Sequence, residues 1–265
     1  MVPGMTSLPT TTAPLTSGAS IPLLGFGTWQ LAGDTATEAT ATALRVGYRH
    51  LDSATVYGNE GEVGTALRES GVAREEVFVT TKIPPTEAAR ARQVLETSLR
   101  LLGVDVLDLW LIHWTEDGAD RNLWAELVQA QADGLVRDVG VSNHSLAQLD
   151  ELEHATGVRP AVNQIRWSPL VHDAALLEGH RERGVVVEGY SGLKGGTMEL
   201  PAVVAVAQRL ERTPAQVLVA WQLQHGLVVI PKSTKEARIR ENADVADLVL
   251  SPDDMAALDG LAGTA

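Results

Sequence analysis

No cysteine occurs in the 265 residues, which excludes disulfides, thiolate catalysis and cysteine-based metal sites. Positive charge is also scarce, with 21 Lys and Arg against 34 Asp and Glu and a formal net charge of −13. Phosphates are repelled over most of such a surface, so neither nucleic acid nor an anionic membrane is an expected partner. Long apolar runs are missing: the best stretch, near the C-terminus, is interrupted by Gln222, Gln224 and His225, and no membrane span is expected. The N-terminal residues MVPGMTSLPTTTAPLTSGAS have neither the basic start nor the apolar run of a secretory signal, so a soluble, cytoplasmic protein is expected. No GxGxxG follows the first apolar run, and a Rossmann dinucleotide site is not indicated.

What is present is a hydrophobic fraction of 45%, enough for a sizeable core in one domain spanning 1–265. Short runs rich in Val, Leu and Ile fall at 23–26, 49–52, 77–82, 106–113, 136–142, 161–165, 185–190 and 227–230. They read as strands buried on both faces. Helical patterns separate them at 35–46, 60–70, 87–101, 121–133, 145–156, 173–183 and 202–223, and two more follow at 235–243 and 252–261. Gly47, Gly103 and Gly134 stand where helices should stop. This alternation predicts an α/β fold with a parallel sheet under helices. Eight units in so short a chain favour a closed (β/α)8 TIM barrel over a doubly wound open sheet. Before the first strand, 9–23 reads as an N-terminal β-hairpin turning at Ser17-Gly18 and closing the bottom of the barrel; residues 1–8 are expected to be disordered.

Active sites of such barrels lie at the C-terminal ends of the strands. Those ends carry Asp52, with Tyr57 in the next loop, then Lys82, His113, Ser142-Asn143, Asn163-Gln164, Tyr190 and Lys232-Ser233. Singly, each has an ordinary explanation: an Asp–Lys ion pair, a satisfied strand-end histidine, a loop tyrosine. Hydrogen-bonding and charged groups ending several adjacent apolar runs are harder to explain that way.

GYRHLDSATVYGNE (47–60), VTTKI (79–83), LDLWLIHW (107–114), VGVSNH (139–144), AVNQ (161–164) and IPKSTKEARIREN (230–242) together resemble the aldo-keto reductase superfamily, in particular its bacterial 2,5-diketo-gluconate reductase-like members. The resemblance runs from about Pro14 to the C-terminus. It implies a catalytic tetrad of Asp52, Tyr57, Lys82 and His113 and NADPH-dependent reduction of aldehydes and ketones to alcohols. Tyrosine is a weak acid with a reference pKa of about 10. An adjacent ammonium on Lys82 favours its phenolate and makes Tyr57 a better proton donor. Asp52 would hold Lys82 charged and oriented, and His113 would donate to the substrate oxygen.

Lys232, Lys235, Arg238 and Arg240 gather at the start of a helix, where cations oppose the macrodipole unless an anion sits there. Ser233-Thr234-Lys235-Glu236 also fits a capping box, which would explain Ser233 and Glu236 without a ligand. The resemblance implies that Lys232, Ser233 and Arg238 hold the 2′-phosphate of NADP, with Glu241 and Asn242 at the adenine; Lys235 is an added positive charge that reinforces this grip, and Thr234 is a further cofactor-binding position. It further places Ser142, Asn143 and Gln164 on the carboxamide, Tyr190 on the nicotinamide ring, Ser191, Leu193 and Lys194 near the pyrophosphate, and Thr28, Trp29 and Asp52 along the cofactor. Trp29, Val56 and Trp114 match substrate-pocket positions. No metal is expected in this chemistry, the partner is a small carbonyl compound, and a monomer is expected.

Three departures stand out. Arg166-Trp167-Ser168 replaces the acidic residue and histidine common in relatives, Gly192 replaces a proline and should loosen 192–200, and the segment TEDGADRN and the C-terminal tail are short. Two other readings remain open: an NADP-binding sensor with little turnover, and a barrel lyase or isomerase using Lys82 as a Schiff-base amine.

Overall fold

The computed structural model describes residues 8–116 and 120–263. Strands β1 (Thr12–Pro14) and β2 (Ser20–Pro22) pair antiparallel around a turn in which Gly18 has φ 88°, a left-handed conformation open to glycine at no steric cost. Eight parallel strands follow: β3 (Phe26–Gly27), β4 (His50–Asp52), β5 (Phe78–Ile83), β6 (Leu107–Ile112), β7 (Val136–Ser142), β8 (Val162–Arg166), β9 (Val186–Tyr190) and β10 (Val228–Val229). They neighbour one another in chain order. A parallel bridge between Leu24 and Val229 closes the ring, with Val229 N–H donating to Leu23 O at 2.7 Å and Gly25 N–H to Val229 O at 2.8 Å. The open doubly wound sheet is thereby excluded.

Alternation along the strands divides the core in two. Trp110 and Ile112 of β6 face outward into a belt shared with the helices, whereas Leu109 and Leu111 face inward. The inward set also contains Phe78, Val162 and Val228, joined by Leu15 and Ile21 of the hairpin, which therefore plugs the barrel. Asp138 at the start of β7 pins that plug, accepting from Ser17 Oγ at 2.5 Å and from Thr16 Oγ1 at 3.2 Å.

The helices are α1 (Gly33–Val46), α2 (Glu60–Glu69), α3 (Ala91–Leu102), α4 (Asp120–Ala132), α5 (Leu146–Thr156), α6 (Ala174–Glu182), α7 (Pro201–Arg209), α8 (Pro214–Gln224), α9 (Glu236–Ala243) and α10 (Pro252–Asp259). Left-handed glycines at 47, 103 and 157 end α1, α3 and α5. No helix among the described residues is long and apolar enough to cross a membrane.

Two expectations fail. The single helix predicted over 202–223 is two, because Pro214 cannot continue a helix and instead opens α8, with Thr213 and Gln216 forming a reciprocal cap. The capping box at Ser233–Glu236 does not form. Lys235 is the residue before α9, and no side chain caps that helix. Ser233 Oγ accepts from Lys235 N–H at 3.0 Å, while Glu236 pairs with Arg240 at 2.8 Å. The expected disorder of residues 1–8 falls outside the described residues except for Leu8, which packs against the core.

Candidate active site

Strand pairing sets the geometry. Lys82, near the end of β5, is fully buried among strands, so its ammonium cannot reach bulk water and must find partners. It donates to Asp52 Oδ1 and to Ser53 O, both at 2.7 Å, and lies 3.5 Å from the Tyr57 hydroxyl. Tyr57 sits on a short 3₁₀ turn (Thr55–Tyr57) just past β4, anchored where Thr55 Oγ1 donates to Lys82 O at 3.0 Å. The His113 ring meets the Tyr57 ring edge-on, 5.6 Å between centroids. The four predicted catalytic residues thus converge at one end of the barrel.

Electrostatics follow from this packing. Burial opposes the Lys82 charge, but Asp52 and Tyr57 overcome it and lift the ammonium pKa to about 12, so it stays charged. For Tyr57, burial raises the phenol pKa and outweighs the downward pull of Lys82, with Asp52 adding to the rise. Lys82 thus pulls on the phenol in the expected direction, and burial holds the proton on Tyr57 in the resting site. Burial and then Lys82 lower the His113 pKa to about 4, which keeps the ring neutral. Its Nδ1 is buried without a hydrogen-bond partner, so the ring proton belongs on Nε2.

A network behind the tetrad was only partly visible in the sequence. Gln164 Nε2 donates to Asp52 Oδ2 at 2.9 Å, completing the carboxylate. Ser142 Oγ donates to Gln164 O at 2.8 Å, Asn143 Nδ2 to Ser142 Oγ at 3.0 Å, and Tyr190 OH to Asn143 Oδ1 at 3.0 Å. Asn143 and Ser191 both have φ 60°, an uncommon conformation outside glycine, and the network holds Asn143 in it. Thr28 is fully buried, its hydroxyl committed to Asp52 O at 3.0 Å. Two members were missed. Asn59 is buried, accepts from Ser53 Oγ, and donates to Thr28 O and Leu31 O, tying β3 to the Tyr57 turn. Glu188 of β9, in register with Gln164, is fully buried, and neither carboxylate oxygen has a hydrogen-bond partner. Burial, followed by the charge of Asp52, pushes its pKa up to about 8. Its signal was an acid inside an apolar strand, Val185-Val186-Val187-Glu188.

Around the mouth, Trp29, Val56 and Trp114 are 46%, 51% and 37% exposed. Lys194 Nζ lies 3.6 Å from the centre of the Trp29 ring. Burial, then the neighbouring Lys232, depress the Lys194 pKa: two ammonium groups share this edge. Lys194, Lys232, Lys235 and Arg238 form no ion pair with described residues, and neither does Arg166, which ends β8 exposed. Unpaired cations crowded together in so acidic a chain fit an anionic ligand. Ser233 and Asn242 are buried beside them and Thr234 is exposed, while Glu241 accepts from Thr213 Oγ1 at 2.7 Å. Ser191 and Leu193 are half-buried in the loop after β9. In that loop the Thr197 hydroxyl lies 3.1 Å from both Gly192 O and Lys194 O and can donate to either. Glycine at 192 has a packing reason, since a Cβ there would lie 2.5 Å from the Gln222 amide. Trp167 is fully buried and its backbone N–H donates to Tyr190 O at 3.1 Å.

A sequence model of the Aldo/keto reductase family matches residues 23–262. The chain belongs to that family. Among similar proteins, methylglyoxal reductase DkgA of Yersinia pestis is 39% identical over 92% of this chain and 90% of its own length. Glyoxal reductase of Bacillus subtilis (strain 168) is 38% identical over 94% and 92%. The crystal structure of a Bombyx mori aldo-keto reductase in complex with NADP superposes with a TM-score of 0.89 at 30% identity, covering 98% of this chain and 95% of the other. As an aldo-keto reductase, the chain shares its fold with that structure over nearly its whole length.

Proposed function

We propose that this aldo-keto reductase reduces aldehydes and ketones with NADPH, Tyr57 being the proton donor. The observation that carries the reading is the Lys82 ammonium, fully buried, held by Asp52 and 3.5 Å from the Tyr57 hydroxyl beside a neutral His113. The cofactor fits the groups present: the unpaired Lys194, Lys232, Lys235 and Arg238 suit its phosphates, Ser142, Asn143 and Gln164 its carboxamide, and Tyr190 its ring. Thr28 and Trp29, and Ser191 and Leu193, border the groove between those ends, with Ser233, Thr234, Glu241 and Asn242 beside the phosphate end. Bound there, the nicotinamide supplies the hydride that no side chain can.

The protein's own groups do the rest. Tyr57 keeps its proton until substrate oxygen gains negative charge, then gives it up. Lys82 makes that transfer favourable because its fixed charge stabilises the phenolate left behind. Asp52, with Gln164 on its second oxygen, keeps Lys82 aimed. His113, protonated on Nε2, donates to the substrate oxygen and orients the carbonyl. Trp29, Val56 and Trp114 wall an open apolar mouth suited to small carbonyl compounds. The two relatives named for methylglyoxal and glyoxal support small α-oxoaldehydes as first substrates.

Loss of NADPH absorbance with a panel of glyoxal, methylglyoxal, simple aldehydes, ketones and diketones tests this. Turnover that saturates with at least one α-oxoaldehyde is expected. Tight NADPH binding without turnover on any of them refutes the reductase reading in favour of a sensor.

A further inference from the structure

Away from the tetrad, three residues far apart in sequence meet on the flank of the barrel. His172 follows a 3₁₀ turn (Pro169–Val171) after β8, His225 ends α8, and Asp259 is the last residue of α10. We propose that His172, His225 and Asp259 form a site for a divalent transition-metal ion, zinc by chemical class, that staples the C-terminal helix to the barrel wall.

One ligand atom from each residue can be chosen so that all three lie within 4.8 Å of one another. His225 Nε2 is 2.8 Å from Asp259 Oδ1, and His172 Nε2 is 3.8 Å from Asp259 Oδ2. Zinc bonds of about 2.0–2.2 Å in a tetrahedron place ligand atoms roughly 3.3 Å apart, inside that spread. Small rotations of the three side chains reach it, an ion replacing the proton that His225 and Asp259 share. The two imidazoles face each other with centroids 4.9 Å apart and planes inclined by 32°. Two imidazoles and one carboxylate suit zinc, cobalt or nickel rather than magnesium or calcium.

The surroundings are those of a supported site. Trp221 Nε1 donates to Asp259 Oδ1 at 2.8 Å, fixing the carboxylate, as outer partners of metal ligands commonly do. The fully buried Trp167 and Trp221 pack their rings edge-on against His172 at 5.4 and 5.6 Å and shield one side from water. The ligand side chains are 8%, 18% and 30% exposed for His172, His225 and Asp259, so solvent can complete the coordination. None of the three takes part in the tetrad or the proposed cofactor groove. Gly263 N–H donates to Leu170 O at 3.1 Å, so an ion here would fasten the chain end as well as α10.

The test is cobalt(II) and zinc titration of untagged, chelator-stripped full-length protein, read by visible absorption and by calorimetry. One equivalent is expected, with visible bands of cobalt in a nitrogen–oxygen site and a rise in Tm on adding zinc. His172→Ala should weaken binding at least tenfold while leaving NADPH oxidation at the wild-type rate. Asp259→Asn should weaken it comparably, and the wild-type circular dichroism of both variants guards against unfolding. Absence of saturable binding overturns the proposal. So does one-equivalent binding that persists unchanged in a folded His172→Ala/His225→Ala double variant.

Discussion

Replacing Glu188 with glutamine removes an ionisable group while keeping its shape, and the consequence for stability can be worked from the structure. The carboxyl has an ordinary pKa of 4.5 and is pushed up to about 8 by burial and by the charge of Asp52. Below pH 4.5 it is protonated whether the chain is folded or not, and it biases neither state. Above 4.5 the unfolded chain loses this proton while the folded one keeps it, so rising pH favours unfolding. The penalty grows by 1.36 kcal/mol per pH unit, reaches about 3 kcal/mol at pH 7, and levels off above the folded pKa near about 5 kcal/mol. Glu188→Gln cannot lose the proton and escapes this slope. Any fixed cost of burying the amide shifts the comparison by a constant and leaves the slope alone. Urea unfolding of both proteins from pH 5 to 9 should therefore show the variant gaining on the wild type as pH rises, by a few kcal/mol in all, and the gain flattening above about pH 8. Parallel stability curves over that range would refute the reasoning.

Three other outcomes follow from the same structure. Arg238→Ala removes an unpaired cation assigned to the 2′-phosphate and should lower the NADPH over NADH preference in kcat/KM by about ten- to a hundredfold, the worth of a charge-assisted hydrogen bond; an unchanged ratio removes Arg238 from that role. With its pKa lowered to about 4 by burial and Lys82, His113 is neutral across pH 5.5–7.5. No inflection near 6.5 should appear in the pH profile of reduction, and one that vanishes in His113→Gln contradicts the assignment. Gly64→Ala, in α2, places a Cβ 2.3 Å from Leu101 O and 2.7 Å from the Leu102 backbone. That backbone cannot swing aside, so a loss of about 1–3 kcal/mol in denaturant unfolding is expected; wild-type stability would show that α2 and α3 separate easily.

Periodicity carried most of the fold into view. Val136–Ser142 coincides with β7 as predicted, because an apolar run bounded by Gly134 and by Asn143 leaves little choice of ends. Where the sequence misled, local signals competed. The apolar pattern over 202–223 is continuous across the break before Pro214, and periodicity outweighed the proline. At Ser233–Glu236 the spacing of a capping box was present, but Ser233 turned to the near N–H of Lys235 and Glu236 to Arg240. The meeting of Asp52, Tyr57, Lys82 and His113 was legible because all four end or follow strands, where position in the chain fixes position in space. Glu188 and Asn59 were not, since their importance arises from what faces them across the barrel. The His172–His225–Asp259 cluster has no short-range spacing at all and exists only in three dimensions.

The proposed reaction depends above all on proton delivery by the Tyr57 phenol. Its most direct measurement is NADPH turnover by Tyr57→Phe, which keeps the ring packed on His113 and removes only the hydroxyl. A fall in kcat of about 10²–10⁴-fold, the usual contribution of a positioned acid, is expected, with the NADPH Kd within about twofold of wild type. Near-wild-type turnover with unchanged cofactor affinity would contradict it.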